Sequence, residues 1–346
     1  MENFLARDLD HILAHIEGLW EELRGQRLFI TGGTGFFGCW LLESFVWAND
    51  KLGLGAKALV LTRNPDAFRQ KAPHLASHPS ILFHAGDVQS FEFPSGTFSH
   101  IIHAATEASA KLNEENPLLM LDTIILGTRR ALEFARYCGA KKFLLTSSGA
   151  VYGKQPPELT HIQEDYMGGL DTMNTGSAYG EGKRVAELLC TIYAKQFGFE
   201  AKIARCFAFV GPYLPLNEHF AIGNFIRDAL KGGPIHVNSD GTPHRSYLYS
   251  ADLAIWLWTI LFRGEICHPY NVGSEQEINI AGLANMVADS FQPRPEVQIA
   301  EKAIPKKIPE RYVPSTQKAY LELNLRQTID LQESIERTIL WHNSSI

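Results

Sequence analysis

The sequence predicts an α/β protein: a doubly wound parallel sheet with a smaller, mixed C-terminal lobe. Short apolar runs alternate with long helical patterns from residue 27 onward, and three glycines follow the first of those runs. The length of 346 residues suffices for a large core shared between two interleaved lobes.

Taken in order, Leu5, Leu9, Ile12, Leu13, Ile16, Leu19, Trp20 and Leu23 recur at helical spacing and break near Gly25. They predict a helical extension over residues 1–25 that packs on the body, with a substrate lid or a partner contact as the alternative. Next, Phe29-Ile30-Thr31 reads as a strand, Gly32-x-x-Gly35-x-x-Gly38 as a tight turn, and Trp40 to Val46 as a helix. Such a turn lets backbone approach a pyrophosphate, and the helix start offers free N–H groups and its positive dipole end. Gly32, Thr34, Gly35, Phe36, Phe37 and Gly38 are therefore expected to hold a dinucleotide.

Further strands are predicted at 58–62, 81–84, 100–103, 142–146 and 201–205, with long helices at 117–138 and 177–197. In an open parallel sheet, ligands bind at the carboxyl ends of the strands. The second strand ends in Arg63, with no acid to meet two free ribose hydroxyls, which favours NADP over NAD. Asp87, with Val88, follows the third strand, either against an adenine amino group or as a loop cap.

Ser148 closes one predicted strand, and Tyr179 and Lys183 open the next helix on one face, four residues apart. An ammonium about 4 Å from a phenol interacts by ~4 kcal/mol at an effective dielectric of ~20 and would draw the tyrosine from ~10 to near neutrality. A phenol so tuned takes a proton from a carbinol while hydride leaves for nicotinamide, with Ser148 holding the same oxygen.

These motifs, in this order, resemble the extended short-chain dehydrogenases/reductases of the nucleotide-sugar epimerase/dehydratase kind. The likeness runs over about 27–325 and includes His103-Ala104-Ala105, Gly127-Thr128, Arg205 through Gly211-Pro212, Gly241 to Arg245, Asp252-Leu253 and Asn271-Val272-Gly273. It implies a Rossmann-type cofactor domain over 26–211, completed by about 246–272, and a nucleotide-sugar lobe over 212–245 and 273–346. It also implies Ala104 and Ala105 beside the cofactor, Arg245 on the substrate diphosphate, Asn224 near the nucleotide, and Arg311 as a second phosphate partner. Arginine's forked, charged donor set suits phosphate oxygens.

Departures from the resemblance narrow the reaction. Gly149 and Ala150 stand where 4,6-dehydratases carry an acid pair, and decarboxylases of the group keep a glutamate at the place of Ala150. Yet Tyr179-Gly-Glu-Gly-Lys183-Arg and Arg245-Ser-Tyr are worded most like UDP-glucuronate decarboxylases. Ile124 and Ala208 replace two usual asparagines. The expected function is an NAD(P)-dependent nucleotide-sugar epimerase or ketoreductase. The alternatives are a 4,6-dehydratase or UDP-glucuronate decarboxylase-like enzyme with a non-standard acid/base, and an NAD(P)-sensing binding protein without turnover.

Composition excludes other classes. A formal charge of −6 without a basic run argues against nucleic acid. Five scattered cysteines without a C-x-x-C pair point to reduced thiols in the cytoplasm and to no metal site. The most apolar run, 254–262, falls short of the ~20 residues that cross a bilayer. A homodimer is expected through the helices at 117–138 and 177–197, with Leu132, Ala135, Leu188, Leu189, Ile192 and Tyr193 as excess apolar surface.

Overall fold

The computed structural model describes residues 3–106, 109–218, 220–304 and 308–344. The chain begins with α1 (Ala6–His15), and the cofactor half follows as β1 (Arg27–Thr31), α2 (Phe36–Leu52), β2 (Lys57–Thr62), α3 (Pro65–Lys71), α4 (Pro73–Ala76), β3 (Ile81–Ala85) and β4 (His100–His103). Then come α5 (Ala110–Glu115), α6 (Pro117–Cys138), β5 (Lys142–Ser148), α7 (Ala178–Phe197), β6 (Glu200–Cys206) and β7 (Phe209–Val210). The remainder interleaves the two lobes: α8 (Ala221–Leu230), β8 (Ile235–Val237), β9 (His244–Ser246), β10 (Leu248–Tyr249), α9 (Ser250–Arg263), β11 (Pro269–Val272), β12 (Glu277–Asn279), α10 (Ile280–Asp289), β13 (Val297–Ile299), β14 (Arg311–Tyr312), α11 (Gln317–Leu323) and α12 (Leu331–Ser344).

Seven strands form the main sheet in the order β11-β6-β5-β4-β1-β2-β3, all parallel. The chain winds outward from β1 to β3 and then returns to β4 on the other side of β1, so the switch point lies between β1 and β4. That is where an open α/β sheet leaves a crevice at its carboxyl edge.

Strand alternation builds both core faces. Leu28 and Ile30 of β1 enter one cluster with Trp20, Trp40, Trp256 and Trp258, while Phe29 enters the other with Phe91, Phe98 and Phe134. Along β5, Leu144 joins the first cluster and Phe143 and Leu145 the second. Helix boundaries follow side-chain chemistry. Asn116 caps α6 by accepting from the Leu119 N–H at 3.1 Å, Pro117 occupies the first turn, and Gly139 ends the helix in the left-handed region at φ 71°.

The N-terminal segment is core material: Leu9, Ile12, Trp20 and Leu23 are buried against α2 and α9. Asp8 accepts from the Tyr249 hydroxyl at 2.7 Å and pairs with Arg337 of α12. One expectation is corrected. Leu132, Ala135 and Tyr193, read as surplus outer surface, are buried in the core between sheet and helices, because the apolar stripe that meets the sheet is wide enough to include them. Leu188 and Ile192 remain exposed, as does Leu126. No helix among the described residues is long and apolar enough to cross a membrane.

Candidate active site at the carboxyl edge of the sheet

The glycine turn is shaped for a ligand. Gly32 has φ 71°, and a Cβ there would stand 2.5 Å from the Ala104 carbonyl; one on Gly38 would stand 2.3 Å from the Gly32 oxygen. Only glycine permits β1, the loop after β4 and the start of α2 to close up this tightly. Ala104 N–H donates to the Thr31 oxygen at 3.1 Å and Ala105 N–H to the Thr31 hydroxyl at 3.2 Å, which fixes that loop. Gly35 is the N-cap of the 17-residue α2, and no side chain caps the helix. The first-turn N–H groups of Phe36 and Phe37 are thus left for an anion, and a dinucleotide pyrophosphate fits this cradle. Thr34 lies in the turn, its carbonyl held by Lys71 at 2.9 Å.

Around it, Arg63 is exposed just past β2. Asp87 accepts from the Gln89 N–H at 2.9 Å, and Val88 packs against Gly127. His103 sits behind the loop between Thr31 and Thr128, at 2.8 and 3.1 Å, and burial together with the Lys183 charge drives its pKa down to about 3.

Ser148, Tyr179 and Lys183 converge beside this cradle. Ser148 ends β5 and its oxygen accepts from the Ala150 N–H at 3.1 Å. Tyr179 is set by α5: its N–H donates to Asn113 Oδ1 at 3.1 Å, and Asn113 also donates to the Gly176 oxygen at 2.8 Å. Burial raises the Tyr179 pKa, and Ser148 nearby acts against that rise. Lys183 is buried, and its Nζ donates to the Thr106 hydroxyl at 2.7 Å and the Thr146 carbonyl at 2.8 Å.

Proximity does not produce the acidity expected from the spacing. The Lys183 ammonium lies 6.0 Å from the Tyr179 ring centre, and its acceptors are Thr106 and Thr146. Burial dominates, pushing Tyr179 up to about 12 and Lys183 down to about 8.

Arg245 and Tyr312 are directly opposed on β9 and β14, and Ile278 of β12 is opposite Arg245 on the other side. Alternation puts Arg311 on the reverse face of this small sheet, in an ion pair with Glu277. Asn224, on α8, accepts from Arg227 at 2.7 Å. Ile124 fills apolar space against Gly182. The structure thus brings Ser148, Tyr179 and Lys183 to one point and separates Arg245 from Arg311.

Two contributors escape sequence reasoning. Thr106 has no motif, though its place just after Ala104-Ala105 hints at the cradle. Tyr312 reaches the site from β14: its hydroxyl stands 2.7 Å from where a Cβ would leave Gly149, and Phe207 lies at the same spot.

The NAD dependent epimerase/dehydratase family model matches residues 28–273. Among curated proteins, UDP-glucuronic acid decarboxylase 1 of Danio rerio is 30% identical over 322 residues, 93% of this chain and 73% of that one. UDP-glucuronic acid decarboxylase 6 of Arabidopsis thaliana is 31% identical over 310 residues, 89% of this chain and 86% of that one. Among solved structures, the epimerase Mth375 of Methanothermobacter thermautotrophicus superposes with a TM-score of 0.79 at 22% identity, covering 96% of each chain. The dTDP-glucose 4,6-dehydratase DesIV of Streptomyces venezuelae, solved with NAD bound, gives 0.76 at 22% identity, covering 92% of this chain and 97% of that one. At those identities the structural likeness is one of fold.

Proposed function

The chain belongs to the NAD dependent epimerase/dehydratase family, and from that premise we propose that it oxidises a ring carbinol of a nucleotide sugar with a net reaction of the UDP-glucuronic acid decarboxylase type. The observation that supports the carbinol chemistry is Ser148 at the end of β5 and Tyr179 at the start of α7, with the Lys183 ammonium 6.0 Å from the Tyr179 ring centre and bonded to the Thr146 carbonyl of β5. A nicotinamide cofactor, held against the turn from Gly32 to Gly38, would supply the hydride acceptor. Tyr179 exchanges the carbinol proton, Ser148 aligns the oxygen, and Lys183 keeps a positive field at the site.

The net reaction rests on sequence likeness to decarboxylases acting on UDP-glucuronic acid. Chemistry is compatible with it. Oxidising the carbinol one carbon removed from the carboxylate-bearing carbon makes a β-keto acid, which sheds CO2 without a base to start an elimination. Gly149 and Ala150 therefore do not bar it. In this reading 26–211 with 246–272 binds cofactor, while 212–245 with 273–346 binds the nucleotide sugar. Arg245 takes the diphosphate, Asn224 lies towards the nucleotide, and Arg311 joins only by leaving Glu277. NAD and NADP are both served by the cradle, with Arg63 favouring the latter.

A second reading, epimerase or ketoreductase, is favoured by the absence of a carboxylate at 149 and 150. Incubating the purified protein with UDP-glucuronate and NAD, and following CO2 and the nucleotide pentose by NMR, separates the two. CO2 release with pentose formation supports decarboxylation. Stereochemical inversion of UDP-glucose without CO2 installs the second reading, and cofactor binding without turnover of either sugar leaves a binding protein.

A further inference from the structure

Helix α7, which carries Tyr179 and Lys183, starts without a cap of its own. A 3-10 turn over Thr175–Ser177 runs straight into it, and Ser177, at the N-cap position, supplies no side-chain cap; its hydroxyl is donated to the Asp171 oxygen at 2.7 Å. The cap comes from another helix. Asn113 of α5 accepts from the Tyr179 N–H at 3.1 Å and donates to the Gly176 oxygen at 2.8 Å. Those two backbone groups are the pair that would bond to each other if the 3-10 turn continued, since its bonds join residues three apart. A backbone N–H has a single proton to give, and that of Tyr179 goes to Asn113.

The choice of helix type decides where the phenol points. A 3-10 helix turns about 120° and rises about 2.0 Å per residue, against about 100° and about 1.5 Å in an α-helix. One residue passing from the α to the 3-10 form therefore turns by about 20° and moves by about 0.5 Å relative to the helix beyond it. That helix is fixed: a Cβ on Gly180 would stand 2.9 Å from the Ala150 oxygen, and Lys183 is bonded to Thr106 and Thr146. We propose that Asn113 is a positioning residue of the reaction centre: by standing between the Tyr179 N–H and the Gly176 carbonyl it stops the 3-10 turn short of Tyr179 and holds the phenol in α-helical register with Lys183. One stretch of chain thus braces both residues, Tyr179 through Asn113 and Lys183 through Thr106. Asn113 is itself set by α5, whose N-cap Ser109 accepts from the Leu112 N–H at 3.2 Å.

This inference deepens the proposed function and rests on it for the role of Tyr179, but its first test needs no substrate. Crystal structures of wild type and Asn113→Ala are compared; alanine is the better helix former, so α5 keeps its shape. The expected result is a Tyr179 N–H bonded to the Gly176 oxygen and a phenol displaced relative to Lys183. A phenol that superposes on that of wild type overturns the proposal. In turnover, kcat is expected to fall about tenfold, since misplacing a reacting group by about 1 Å can cost about a hundredfold. KM for the nucleotide sugar stays within about twofold, the pattern of a loss confined to the chemical step.

Two further variants separate positioning from stability. Asn113→Asp keeps an acceptor for the Tyr179 N–H at a helix start, where a carboxylate is favoured, and should bring kcat back to within about threefold of wild type. Asn116→Ala removes a cap of the same chemistry from α6 rather than α7; it should lower Tm similarly but leave kcat unchanged at temperatures well below Tm. An undiminished kcat in Asn113→Ala, an equal loss in Asn116→Ala, or no recovery in Asn113→Asp overturns the proposal. Absent turnover of every nucleotide sugar by the wild type would instead count against the proposed function, with the paired structures still deciding what Asn113 does to Tyr179.

Discussion

The Lys183 ammonium donates to the Thr106 hydroxyl at 2.7 Å, tying α7 to the loop that follows β4. That bond sets the lysine's job. Two of its protons go to Thr106 and Thr146 on the cradle side, with the Tyr179 ring centre 6.0 Å away.

Tyr179→Phe is therefore expected to abolish turnover while leaving cofactor affinity nearly intact, since one hydroxyl is removed and no support is lost. Lys183→Ala should impair both, because it empties a buried site and frees the loop carrying Thr106. Stopped-flow reduction of bound cofactor with calorimetric binding checks this. Retention of more than about a tenth of the chemistry in Tyr179→Phe would remove it as the proton carrier, given the usual size of such contributions.

Arg63→Ala should weaken NADP by about 1.5–3 kcal/mol, the range of a charge-assisted contact, and leave NAD almost unchanged. Equal losses for both cofactors in calorimetric titration would take Arg63 away from the 2'-phosphate.

His103 should make the fold acid-sensitive. Its imidazole titrates near 6.5 when unfolded and near 3 when folded, because burial excludes the charged form. The unfolded chain binds the extra proton between those values, so the stabilisation is complete above about 6.5 and is lost as pH falls. The slope is on the order of 1.4 kcal/mol per pH unit. Asp8 and Asp252, raised by burial, oppose part of it. His103→Asn should lower Tm at neutral pH but flatten its dependence between pH 6.5 and 4, as read by calorimetry; parallel Tm curves would refute the assignment.

The exposed Leu188 and Ile192 on α7 lead us to expect a homodimer, and light scattering at low micromolar concentration tests it. A single species near 38.7 kDa would refute the dimer. If a dimer forms, Leu188→Asp should split it, and a dimeric mutant would place the contact elsewhere.

The glycine turn and the order Ser148, Tyr179, Lys183 were legible because each depends on local spacing: a strand end, a helix start, one helical turn. What stayed hidden depends on tertiary neighbours. Tyr312 arrives on a two-residue strand with no periodicity to announce it. For Lys183, i, i+4 spacing says that two side chains share a face, not which acceptors, here Thr106 and Thr146, take the ammonium's protons. Leu132 and Ala135 looked like surplus surface for a similar reason: a helical stripe has a width that only its neighbours define.

The salt link from Asp8 to Arg337 has a consequence for biosynthesis. Asp8 of α1 has its cationic partner on α12, 329 residues further along, and its second partner, Tyr249, on β10. Leu9 and Ile12 can meet α2 soon after it emerges and α9 later, while the Asp8 carboxylate stays unpaired until α12 follows. A chain cut before α12 should therefore keep α1 packed on α2 and α9 but with the Asp8 carboxylate without its arginine.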